Sequence, residues 1–375
     1  MGFVLLKSNH RNLSLGILLV ITLLCSITPV ALAKTRQSHL IGFIYENQNS
    51  DGSFGVASQD TAYATEIIDH FNAYVSDVLI GQTKSIDIPT FKSFLISQIQ
   101  TMFDVEEIDL YDLFNYLDAL NRIESLGDSL DSNLHNTIYN YLNETNQNGG
   151  GFGLTNTSTT ANMASTFFVY NIYVIIGEQV VNQTIHKNWV LSCNNTDGGY
   201  GGDQSLSSTI VTTYFATSLV DGFGDINDLV NKTKTLEYFE SFYIDDPNNV
   251  GNYGGYLPDF LADNTLLSST FYCVKGIELI DVSKLNGVIT SDWVLNRQNF
   301  RDGGFGDWVE GNDQGTSSVS TSFYAFKLLE TFSSLDALNE DIFTVESNFL
   351  SFIIVFSIIG VIVLLVYLYI RRRRI

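Results

Sequence analysis

The stretch DGGFG at Asp302–Gly306 decides the fold, because it is one of a series. The same glycine-aromatic signature stands as DGSFG at Asp51–Gly55, GGGFG at Gly149–Gly153, DGGYG at Asp197–Gly201 and GGY at Gly254–Tyr256. From Phe54 through Phe152, Tyr200 and Tyr256 to Phe305 the steps are 98, 48, 56 and 49 residues. The first step is double, which predicts a worn copy near Gln98–Phe103. A period of roughly 50 residues belongs to one supersecondary unit repeated around a shared core.

Each signature follows an amphipathic segment and precedes a more apolar one. The amphipathic segments are Ser38–Gln48, Ile88–Gln100, Leu130–Asn143, Ile185–Cys193, Thr235–Tyr243 and Ile289–Gln298. Their apolar partners are Thr61–Phe71, Leu110–Ile123, Ala161–Ile176, Ser207–Val220, Leu266–Ile280 and Ser317–Phe332. Apolar residues cover most of the circumference of the second set, as in helices buried on nearly all sides. Strand-like alternation is absent and the whole chain holds 4 prolines, so the expectation is all-α. Six outer and six inner helices predict an α6/α6 toroid, a double ring of about twelve helices. The glycines supply positive φ after each outer helix, and the aromatic packs back between neighbouring pairs.

The ends carry different signals. Residues 1–33 pair a basic flank with a short apolar core and end in Ala31-Leu32-Ala33, as a cleaved secretory signal does. Phe349–Ile370 is uncharged and long enough for a membrane helix, and Arg371–Arg374 follows. The expected order is a signal peptide (1–33), an extracellular toroid (34–340), a linker (341–348), a span (349–370) and a basic cytoplasmic tail (371–375). That order describes a single-pass protein of the cell membrane. Between the apolar ends 13 basic residues stand against 41 acidic ones, a net charge of −28. Such a surface excludes nucleic acid as a partner. Sequons at Asn143, Asn156, Asn182, Asn194 and Asn231 suit an exported glycoprotein. Cys193 and Cys273 alone cannot staple so long a domain, which leaves stability to the apolar core.

Gln147-Asn-Gly-Gly-Gly-Phe-Gly and Gln298-Asn-Phe-Arg-Asp-Gly-Gly-Phe-Gly resemble the repeats of protein prenyltransferase β subunits, and squalene cyclases carry similar ones. The resemblance spans residues 38–335 and implies the toroid fold. It also implies one zinc, held by an Asp-x-Cys pair opening one late inner helix and a His opening the next. Here those helices open Ser269-Thr270-Phe271-Tyr272 and Thr321-Ser322-Phe323-Tyr324, without carboxylate, thiolate or imidazole in place. Asp60-Thr61-Ala62-Tyr63 matches only the Asp-x-x-Tyr part. No zinc and no other cofactor is therefore expected. The Asp-rich motif of the cyclases has only Asp245-Asp246-Pro247 as a candidate, which suits a turn better. The Asp104–Asp112 carboxylates suit a solvated face, and Asp307, Glu310 and Asp313 leave calcium as a lesser alternative.

Aligning the inner helices on Tyr63, Phe168, Phe215, Tyr272 and Tyr324 exposes a polar column three residues on: Glu66, Asn171, Ser218, Lys275 and Lys327. Ring closure would bring Glu66 beside Lys327. These side chains either snorkel between the layers or ring a cavity. The candidate ligand site is then Lys275, Lys327, Glu66 and Asn171 above Phe168, Phe215, Tyr272 and Tyr324. It would hold an apolar or amphipathic small molecule, or serve a surface protein or glycan. The other readings are a divergent prenyltransferase-type, cyclase-type or glycan-active enzyme, and an adhesion protein.

Overall fold

Inner helices begin where the chain supplies a cap. Asn162 Oδ1 accepts the Ala164 N–H at 2.9 Å, Thr209 Oγ1 that of Thr212 at 3.1 Å and Ser318 Oγ that of Thr321 at 3.0 Å. The computed structural model describes residues 35–79, 82–123, 130–307 and 316–340. Within them run six outer helices, α1 (Arg36–Glu46), α3 (Ile88–Asp104), α5 (Ser132–Glu144), α7 (Gln183–Ser192), α9 (Lys232–Glu240) and α11 (Gly287–Leu295). They alternate with six inner helices, α2 (Ser58–His70), α4 (Leu110–Ile123), α6 (Met163–Ile175), α8 (Ile210–Gly222), α10 (Leu267–Asp281) and α12 (Val319–Thr331).

Each inner helix packs on the next, and α12 returns to α2, so Gln37–Leu338 closes into a ring. Beyond that ring the Arg36 N–H donates to the Glu340 carbonyl at 2.9 Å.

The signatures are the staples between repeats. Phe54, Phe152, Tyr200, Tyr256 and Phe305 are all buried. Their N–H groups donate to one hydroxyl position on the following inner helix: Thr61, Thr166, Thr213, Thr270 and Ser322, at 2.9–3.1 Å. A buried N–H without an acceptor is costly, so this pairing fixes each loop on its helix. Gly198 shows why glycine is needed. Its φ is +91°, and an added Cβ would meet the Lys234 carbonyl oxygen of the next outer helix at 2.4 Å. Gly303 is placed likewise against His39 of α1, which seals the ring.

The second repeat departs from the rule. α3 runs on to Asp104, Val105–Asp109 crosses directly to α4, and the hydroxyl position is taken by buried Leu113. Signature and acceptor are thus missing together.

The all-α expectation is modified by an antiparallel hairpin, β1 (Val75–Leu79) with β2 (Gln82–Ser85), between the first two repeats. The short pair β3 (Phe305–Gly306) and β4 (Ser317–Ser318) lies beside the sixth signature. The membrane-spanning helix needs correction. Among the described residues no helix is long and apolar enough to cross a membrane. Residues 349–370 lie outside them, as do 1–33, 341–348, 371–375, Glu310 and Asp313. The fold described here is the toroid alone.

Candidate functional site

Aromatic side chains line the axis of the ring, and Tyr63, Phe168 and Tyr272 among them are only partly buried. Five of the inner helices present two adjacent aromatic or small residues at the same height, so the rings from neighbouring helices meet. Tyr63 stacks on Phe323 at 3.6 Å between centroids and Phe167 on Phe215 at 4.2 Å. The predicted column joins them: Phe168 lies 5.9 Å from Phe215, Phe215 6.2 Å from Tyr272, and Tyr272 6.0 Å from Tyr324. The hydroxyls are gathered by Gln59. Its Nε2 donates to Tyr63 Oη at 2.6 Å and Tyr324 Oη at 3.1 Å, while its Oε1 accepts from Tyr111. Burial raises the Tyr63 and Tyr272 phenols well above their ordinary value, with the neighbouring tyrosines adding to it.

The polar column lies one turn along the same helices. Lys327 Nζ donates to Glu66 Oε1 at 2.8 Å and also to Glu330. Glu66 Oε2 holds Arg122 at 2.7 Å, and Arg122 holds Asp118 at 3.0 Å. His70 Nδ1 stands 3.4 Å from Glu330. Lys275 pairs with Glu278 and reaches Thr331 Oγ1 at 3.4 Å. Burial pulls Lys327 down, but Glu66 and Glu330 more than offset it and leave it raised. The column therefore joins neighbouring inner helices as a salt-bridge belt. Neither lysine is an unpaired cation awaiting an anion, and Asn171 is bonded to the Phe167 carbonyl of its own helix at 2.7 Å.

Sequence reasoning missed Asp118 and Arg122, because the second repeat was left out of the column. It also missed that an acid follows each lysine three residues later. Both signals were in the chain: α4 carries Asp118 at the height of Glu66, and Glu278 and Glu330 stand at helical spacing.

The positions that would carry zinc ligands serve the staples instead. Ser269 Oγ donates to the Tyr256 carbonyl at 2.6 Å, and Thr321 Oγ1 to that of Phe305 at 2.5 Å. Asp60 bonds the Val56 N–H and Ser320 Oγ at 3.0 and 2.9 Å. Cys273 is fully buried, with its thiol raised by that burial, and neither it nor Cys193 forms a disulfide. These residues do not fit a zinc site. Among the described residues no cluster of three potential metal ligands occurs. Asp302 caps Gly304 and bonds Ser317 Oγ, and Asp246 caps Asn248, each as turn residues do.

What remains open lies where the second staple is missing. A cleft of about 1240 Å³ enters between α4 and α5 and reaches Tyr111 and Phe168 of the central layer. Its walls are mixed: Phe103, Tyr141, Leu154 and Ala164 are apolar, Thr137, Asn140, Thr155, Asn156 and Thr157 polar, and Glu106, Glu107, Asp109 and Glu144 add carboxylates. Among the described residues no basic side chain lines it. At its base the Ser165 hydroxyl, 1 % exposed, has no hydrogen-bond partner. An orphaned buried hydroxyl beside a cleft of mixed polar and apolar lining is a point where a ligand oxygen gains a bond.

A family model described as the prenyltransferase alpha-alpha toroid domain matches residues 2–104, 90–188 and 180–346. Among solved structures, protein geranylgeranyltransferase-I of Candida albicans, complexed with GGPP, is similar at 15 % identity and a TM-score of 0.52. The match covers 84 % of this chain and 89 % of that one. The type II terpene cyclase MstE from Scytonema, with its product merosterolic acid A, matches at 10 % identity and a TM-score of 0.49. There the shares are 81 and 96 %. At such identities the likeness speaks for the fold. No curated protein matches the chain.

Proposed function

The chain belongs to the prenyltransferase alpha-alpha toroid family, and from that premise we propose that it binds an apolar or amphipathic small molecule without prenyl-transfer chemistry. The observation that carries this reading is the cleft left by the missing second staple. Its volume of about 1240 Å³ exceeds the usual small-ligand range of roughly 300–1,000 Å³, so a long chain fits. The apolar part of the walls drives binding at about 25 cal/mol per Å² of apolar surface removed from water. Ser165 at the base supplies one directional bond.

The same family geometry holds a prenyl diphosphate in the Candida relative's complex, named GGPP. Here four lining carboxylates and, among the described residues, no lining cation disfavour a diphosphate. The reading is therefore a neutral or weakly polar prenyl-like chain. Transfer of that chain to a thiol has no support in these residues, because the zinc-ligand positions carry Ser, Thr and Phe.

Calorimetric titration with geranylgeraniol and with its diphosphate tests this. The alcohol is expected to bind at least about tenfold more tightly, a difference of about 1.4 kcal/mol, owing to the acidic lining. Tighter binding of the diphosphate would reverse the assignment.

A further inference from the structure

A second recess lies between α11 and the loop that joins α9 to α10, and it contains a buried charge. Arg297 is 2 % exposed. Its guanidinium lies 3.6 Å from the centroid of Trp293. Nη2 donates to the Gly251 carbonyl at 2.9 Å and to Thr265 Oγ1 at 3.3 Å, and Nη1 to the Trp293 carbonyl at 3.4 Å. Among the described residues these neutral oxygens are the only acceptors the guanidinium reaches. Its Nε–H has no partner, and neither has the Trp293 indole N–H, on a side chain that is 3 % exposed. Asp307 is near enough to act on the charge, but its Oδ1 is engaged by the Leu267 N–H at 2.6 Å. Burial pulls the guanidinium down to about 9 against that influence. A buried cation that no carboxylate of the described residues touches is expensive, and here two orphaned donors accompany it.

Both side chains line a recess of about 680 Å³, walled by Pro247, Val250 and Ile289, with Asp292 on its lining. We propose that this recess is an anion subsite, which takes the carboxylate of a small organic acid and lays its apolar body against Val250 and Ile289. The unpartnered Nε–H can donate one charge-assisted bond to a carboxylate oxygen. The volume suits a small ligand, and Asp292 selects a singly charged anion over a more highly charged one. This site is separate from the cleft of the second repeat and stands without it.

The probe is benzoate, added to the full chain and followed through the Trp293 indole N–H resonance. Benzamide, its neutral isostere, and inorganic phosphate are the comparison arms. Benzoate is expected to shift that resonance saturably and benzamide to leave it in place. Val250 is 84 % exposed, so Val250→Asp keeps the fold while adding a negative charge at the entrance. That variant is expected to weaken benzoate at least tenfold with an unchanged melting temperature. No saturable benzoate shift, an equal shift with benzamide, or full benzoate affinity in Val250→Asp would each overturn the proposal. Phosphate binding as tightly as benzoate would assign the recess to inorganic anions and overturn the organic-acid assignment.

Discussion

Raising the pH above 10 is expected to unfold this protein steeply, with at least about 4 kcal/mol of stability lost per pH unit. The groups responsible are the phenols of the central layer. Burial raises Tyr63 and Tyr272 well above the ordinary 10.0 and pushes Tyr214 up to about 12. In the unfolded chain each would ionise near 10.0, whereas in the fold each keeps its proton. Their stabilising contribution is thus fully present below pH 10 and is lost as pH rises toward the folded values. Each contributes about 1.4 kcal/mol per pH unit across that window, so these three account for about 4 kcal/mol, and Tyr111 of the same layer, raised likewise by burial, adds to it. Lys327 acts in the same direction. Its folded pKa is raised, so its contribution is lost as pH climbs through and above 10.5. Far-ultraviolet circular dichroism and tyrosinate absorbance, recorded together, check the expectation. The two should move as one transition. Tyrosines that ionise fully near pH 10 while helicity persists would show that the central layer is not sealed.

Phe152→Ala is expected to cost about 3–5 kcal/mol, the usual loss for a buried phenylalanine. The ring is 1 % exposed and stacks on His186 of α7 at 4.4 Å, with Tyr173 of α6 at 6.3 Å. It therefore joins a repeat to its successor, and the cavity left behind cannot be filled by a one-repeat rearrangement in a closed ring. Thr166→Val removes the acceptor for the Phe152 N–H at 3.0 Å and is expected to cost about 1–3 kcal/mol. Loop and hydroxyl act as one staple, so the double variant should cost less than the two singles together. Urea unfolding of the four proteins measures this. Strict additivity would mean that aromatic and hydroxyl stabilise the ring independently.

The double ring was legible because its message is repeated. Glycine, aromatic and a Thr/Ser two residues before the inner-helix aromatic recur in five of the six repeats, and twelve helices fall within a few residues of the predicted segments. The closure contact between Glu66 and Lys327 follows from the same register. What escaped sequence reading lies where repetition fails. The hairpin at Val75–Ser85 belongs to one linker only. The cleft arises from an absence, a staple that α3 and α4 lack. The pairs Phe323-Tyr324 and Phe271-Tyr272 put two rings per helix on the axis, where the sequence column counted one. Arg297 has no counterpart in the other signatures, and its burial without a carboxylate in hydrogen-bond contact among the described residues singles it out.

Native mass spectrometry with geranylgeraniol tests the central claim most directly. Ala164 lines the cleft without being fully buried, so Ala164→Trp fills it with little demand on the core. One molecule of the alcohol is expected on each wild-type chain and none on the Ala164→Trp chain. Equal occupancy of the two proteins, or no bound alcohol on either, would contradict the assignment of the second-repeat cleft as the ligand site.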